Sequence, residues 1–141
     1  MKPIIPWKLC EKEYVKVISP DDEKIRSIIK MNDVRLDIIK KIELNQDTAP
    51  IIAAEYYEVI KELLVSLLNK NGFKSDNHEC LISFFRHRYP KYEYESGVIH
   101  QLKYVRNRAV YDGVFVDKNY IEANAMEFHH IINILKDLQK T

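Results

Sequence analysis

The stretch Leu102-Lys103-Tyr104-Val105-Arg106-Asn107-Arg108-Ala109-Val110-Tyr111-Asp112-Gly113 reads as the last turns of an amphipathic helix and its stop. Val98, Leu102, Val105 and Ala109 recur at three- and four-residue spacing, so they share one face and mark the buried seam. Gly113 supplies the stop. Only glycine enters the left-handed conformation after a helix without steric cost, and Asp112 before it is a weak helix former. Arg106 and Asn107 fall beside the seam. A planar cation and an amide held next to a core, close to a helix end, serve either as structural hydrogen-bonding groups or as an anion site.

Outward from this stretch the same periodicity repeats. Val114-Phe115-Val116 is too short an apolar run to argue a strand, and Asp117 is placed to cap a following helix with the stripe Ile121, Ala125, Phe128, Ile132, Leu135 and Leu138. His129 and His130 are adjacent and diverge by about 100° on a helix, so one is expected at the seam and the other in water.

Upstream, Asp76 with Glu79 three residues later gives a capping-box-like start to a shorter helix carrying Leu81, Ile82, Phe84 and Phe85, ended by Pro90. His78 and Cys80 stand two apart on it, face different sides and cannot chelate together; no metal site is expected. The most hydrophobic segment runs from Pro50 to Asn71, stops at Gly72 and has Asp47 or Thr48 to cap it. Its stripe of Ile52, Tyr56, Val59, Ile60, Leu63, Leu64, Leu67 and Leu68 is the expected centre of the core. Tyr56 and Tyr57 are expected as core and rim aromatics.

Ser19-Pro20-Asp21-Asp22 opens a further long helix, with Ser19 as cap and Pro20 in the first helical position. Ile25, Ile28, Ile29, Leu36, Ile39 and Ile42 keep its face apolar to about Leu44. Asn32 and Arg35 interrupt this seam, and they are expected at its edge with their polar ends in solvent. Residues 1–18 read as a short helix or an extended arm, with Trp7, Leu9, Tyr14, Val15, Val17 and Ile18 laid over the helices.

The expected fold is therefore all-α: an antiparallel up-down bundle of four long helices plus a shorter helix or N-terminal arm, in one domain spanning 1–141. At 141 residues, 46% hydrophobic and 30% charged, the chain is long enough to bury a core unaided. A formal charge of +1 excludes bulk attraction to nucleic acid or anionic membrane, so any basic site must be local. The most basic window holds Arg86, Arg88, Lys91, Lys103, Arg106 and Arg108 against Glu93 and Glu95. Cys10 and Cys80 lack paired spacing, which argues against zinc and against a secreted disulfide framework. No apolar run of signal-peptide or membrane-spanning length occurs. A cytoplasmic location, no membrane association and no cofactor are the expectations.

The helix order, ending in Arg106-Asn107 just before Tyr111-Asp112-Gly113, resembles the HEPN family, the helical bundles named for higher eukaryote and prokaryote nucleotide binding. That family's hallmark is an arginine followed by a polar residue, then four to six residues, then a histidine near a helix end. Arg106 and Asn107 match the first two places; Tyr111 stands at the third, and Gly113 where toxin-like members often carry a tyrosine. The resemblance implies a homodimer with the arginine-bearing helices facing each other. It implies binding of nucleotide or RNA phosphate by Arg106 and Asn107, with Lys103 and His100 nearby on the same helix. It also implies two further readings. One is a metal-independent ribonuclease of toxin-antitoxin type using Arg106, with Tyr111 or His100 moving the proton; the other is a non-catalytic partner of a minimal nucleotidyltransferase. A phenol titrates near pH 10, so Tyr111 is a poor substitute for the imidazole that such cleavage needs. His100 is otherwise expected as a surface histidine. The purely structural alternative pairs Arg106 with a carboxylate across the bundle.

Overall fold

The computed structural model describes residues 1–140. The chain is built mostly from helices: α1 (Trp7–Glu13), α2 (Asp22–Lys40), α3 (Ala49–Lys70), α4 (His78–Arg88), α5 (Glu93–Asp112) and α6 (Lys118–Asp137). A single 3-10 turn, Pro90–Tyr92, joins α4 to α5, and strands β1 (Val15–Val17) and β2 (Phe73–Ser75) form one small ribbon. Four of the helices are about 20 residues or longer, as the periodicity predicts.

Helix α3 is the centre. It opens on Ala49-Pro50, where the missing proline N–H costs nothing, and it ends before Gly72, whose φ of +85° only glycine adopts freely. All eight residues of its expected stripe are buried, and Tyr56 and Tyr57 are both core rather than core and rim. It packs on α2, α4, α5 and α6. Burying several faces at once explains why α3 is the most apolar helix. Asp21 N–H donates to Asn69 Oδ1 at 2.8 Å and Arg35 Nη1 lies 3.6 Å from Glu58 Oε1, so α2 runs antiparallel to α3. Tyr56 meets His129 and Ser66 meets Gln139, so α6 runs parallel to α3 beside it.

Several local expectations are corrected. The cap of α2 is Asp21, accepting from Lys24 N–H at 3.0 Å, and not Ser19. The reason is that Ile18 N–H is donated to the Gly72 carbonyl, which prolongs the ribbon and delays the helix. Helix α2 ends at Lys40 rather than near Leu44. Asn32 is not at the seam's edge in solvent but buried, its Nδ2 donating back to the Ile28 carbonyl at 2.8 Å. Helix α4 is capped by Asn77, which accepts from Glu79 and Cys80 N–H, and not by Asp76. The stops and starts at Gly113 and Asp117 are as expected: Gly113 is left-handed at φ +67°, and Asp117 accepts from Asn119 N–H.

The N-terminal arm is both helix and strand. Helix α1 leads into β1, which pairs antiparallel with β2 in the register Val15 to Ser75 and Val17 to Phe73. Trp7 buries its ring edge-on against Phe73 and Phe84, but Leu9, Tyr14 and Val17 stay exposed because the arm is covered on one side only. The arm also corrects the reading of the cysteines. Cys10 and Cys80 form a disulfide, fully buried, with their Cα atoms 5.5 Å apart. A separation of 70 residues hides such a pair from any spacing rule.

Candidate functional site

The C-terminal half of α5 carries the expected residues, and the structure brings most of them together. His100, Lys103, Asn107, Arg108 and Tyr111 line one cleft of about 500 Å³, which Met1 and Lys2 of the arm cover at one end. His100, Lys103, Asn107 and Tyr111 stand three or four residues apart on one helical face, and Arg108 adjoins it. Arg106 flanks the cleft. Its Nη1 donates to Asn107 Oδ1 at 2.9 Å and to the Tyr111 hydroxyl at 3.4 Å. Its guanidinium carbon lies 5.4 Å from the centre of the Tyr57 ring and 5.6 Å from that of Tyr111. Among the described residues no carboxylate lies within 4 Å of Arg106, so the purely structural pairing across the bundle is not made.

His100 is not the surface histidine expected. Its ring is buried, and since a carbonyl only accepts, Nε2 donates to the Lys2 carbonyl; Nδ1 is buried without a partner among the described residues. The arm lies over the place that sequence spacing leaves open. Lys103 Nζ sits 3.9 Å from Glu79 Oε1 at the start of α4.

Two residues of the site escape sequence reasoning. Tyr57 is buried under Arg106, and its hydroxyl lies 3.2 Å from Nδ1 of His78. Burial pushes the Tyr57 phenol well up, with Arg106 opposing in part, so the phenol stays protonated and donates. Burial lowers the His78 pKa, and the charges of Lys61, Arg106 and Lys103 lower it further. His78 is thus a neutral imidazole that accepts at Nδ1 and carries its proton on Nε2. Arg106, Tyr57 and His78 come from three helices, and no local motif joins them.

The basic window divides. Arg88 and Lys91 lie over Tyr89 and Tyr92 at the start of α5, whereas Lys103, Arg106 and Arg108 sit in its second half, about 20 Å along the axis at 1.5 Å per residue. Beyond the cleft Val110, Tyr111, Val114 and Phe115 are exposed, a run of apolar side chains around the end of α5. The adjacent histidines behave as their spacing predicts: His129 Nε2 bonds the Tyr56 hydroxyl at 2.9 Å and His130 faces water. No helix is long and apolar enough to cross a membrane among the described residues. Comparison of the chain with protein families, with curated proteins and with solved structures finds no match in any of the three.

Proposed function

We propose that this chain is a HEPN-like antiparallel four-helix bundle that binds nucleotide or RNA phosphate through Arg106 and Asn107, with Tyr111 beside them. The observation that carries the reading is Arg106 itself. It is half-buried, oriented by Asn107, Tyr111 and the Tyr57 ring, and free of any carboxylate within 4 Å among the described residues. A guanidinium held in place with its charge unspent favours a phosphate, which it meets with two parallel N–H groups. Lys2, Lys103 and Arg108 line the same cleft, offset in part by Glu79 and Asp112, and Tyr104 and Tyr111 offer exposed rings on which a base stacks.

The exposed Val110, Tyr111, Val114 and Phe115 favour a homodimer in which two such ends of α5 meet, with the phosphate cleft at the junction. The bundle is favoured by α2 pairing antiparallel with α3, and by His130 of α6 lying 3.9 Å from Glu95 at the start of α5. We read the protein as cytoplasmic. Cysteines are mostly kept reduced there, whereas Cys10 and Cys80 are joined in this structure, so both redox forms belong in the assay.

The metal-independent ribonuclease is a second reading, and His78 favours it. Joined to Arg106 through the Tyr57 side chain, the neutral His78 imidazole takes a proton once its Nδ1 leaves the Tyr57 hydroxyl, whereas His100 Nε2 is engaged with Lys2. The experiment is a chelator-treated assay on labelled single-stranded RNA, reading binding and cleavage together, with Arg106→Ala in parallel. Binding without cleavage, lost in the variant, supports the leading reading. Cleavage lost in both Arg106→Ala and His78→Gln supports the second. No binding by the wild-type protein in either redox form refutes both.

A further inference from the structure

At the other end of α5, Glu95 meets two residues of α6. Glu127 and His130 stand three residues apart, so both lie on one face of α6 about one turn from each other. Glu95, in the first turn of α5, faces them. One ligand atom from each of the three lies within 4.8 Å of the other two, and His130 Nε2 is 3.9 Å from Glu95 Oε2. Among the described residues no lysine or arginine comes within 4 Å of either carboxylate. Glu95 is the more enclosed, its side chain 15% exposed, while His130 at 58% stands at the mouth. Two carboxylates with no lysine or arginine within 4 Å, and the His130 imidazole beside Glu127 on the same helix face, make a group of ligating side chains that is open to solvent at His130.

We propose that Glu95, Glu127 and His130 form a binding site for a divalent transition-metal ion of zinc type, held by two carboxylates and one imidazole. The donor set selects the class: imidazole suits zinc and its neighbours, whereas magnesium and calcium take oxygen alone. Tetrahedral zinc with bonds of about 2.0–2.1 Å places its ligand atoms about 3.4 Å apart, so the three groups, now within 4.8 Å of one another, close by up to about 1.4 Å through side-chain torsions. Three protein ligands leave a fourth position to water. Bound there, the ion ties the start of α5 to α6. The site lies far from Arg106 and does not rest on the phosphate-binding reading.

The test is calorimetric titration of the full chain, disulfide intact, with zinc alone in chelator-free buffer, together with melting temperatures with and without the ion. Wild type is expected to take up one ion per chain and to melt higher in its presence. Loss of a supporting partner around a metal typically weakens binding 10- to 100-fold, so loss of a direct ligand in His130→Ala, or in the near-isosteric Glu127→Gln, is expected to weaken it by at least about tenfold. Both variants are expected to lose the shift in melting temperature, while Glu122→Gln, on the same helix but outside the group, keeps it. Absence of uptake by wild type, or equal uptake by wild type and both ligand variants, overturns the site.

Discussion

The guanidinium of Arg106 lies over the ring of Tyr57, 5.4 Å from its centre, and the Tyr57 hydroxyl at the edge of that ring lies 3.2 Å from Nδ1 of His78. A cation, a buried phenol and a neutral imidazole are thereby joined through one aromatic side chain. The stack holds the plane of Arg106 without neutralising it, which separates this arginine from one engaged in an ion pair.

Arg106→Lys is the informative substitution for that geometry. Lysine keeps the charge but loses the fork and the stacking plane. Loss of one hydrogen bond to a charged group costs about 1.5–3 kcal/mol, so single-stranded RNA is expected to bind about tenfold more weakly or worse. Stability is expected to change by only about 0.5–1 kcal/mol, as for a half-exposed cation over a ring. Fluorescence anisotropy and urea denaturation of the same preparation check the two numbers, and undiminished binding by the lysine variant would count against the stacked fork.

Acid is expected to weaken the fold in a defined window. Burial and the nearby lysines and arginine lower the His78 pKa below 6.5, and burial with Lys40 does the same to His129. A histidine with a lowered folded pKa binds its proton more readily when unfolded. The native state is therefore unpenalised above about pH 6.5, loses stability as pH falls below that value, and stops losing it on this account below the folded pKa. Urea midpoints between pH 7.5 and 5 are expected to fall, and less steeply in a His78→Gln, His129→Gln variant.

The Cys10–Cys80 bond anchors the arm to α4 across 70 residues of chain. Closing a loop of that size in the unfolded state stabilises a fold by about 4 kcal/mol on chain entropy alone. Cys10→Ser with Cys80→Ser, or reduction of the native chain, is expected to lower stability by that amount, read from urea denaturation with and without reductant. An unchanged midpoint would show that the arm gains nothing from being tethered.

Gly113 ends α5 with φ at +67°, and a Cβ built there meets nothing within 4 Å. The cost of Gly113→Ala is therefore one of backbone conformation alone, about 1–2 kcal/mol. The thermal midpoint is expected to drop accordingly, with helical content unchanged by circular dichroism. A neutral result would mean that the chain leaves α5 by another route.

The sequence by itself determined the elements that depend on neighbours within a turn or two. The stripe from Ile52 to Leu68, the stops at Gly72 and Gly113, the cap at Asp117 and the opposed fates of His129 and His130 all follow from helical period and backbone sterics. Arg106, Asn107 and Tyr111 were legible as a group for the same reason, because five residues on one helix already fix their proximity. Only the tertiary structure decided what lies opposite each of them. It set Tyr57 under Arg106 and His78 beyond it, laid Lys2 over His100, paired Cys10 with Cys80, and delayed the start of α2 to Asp21 through the ribbon. It also brought Glu95 to Glu127 and His130. These are contacts between segments tens of residues apart, set by how whole helices pack against α3, and no spacing rule along the chain contains that information.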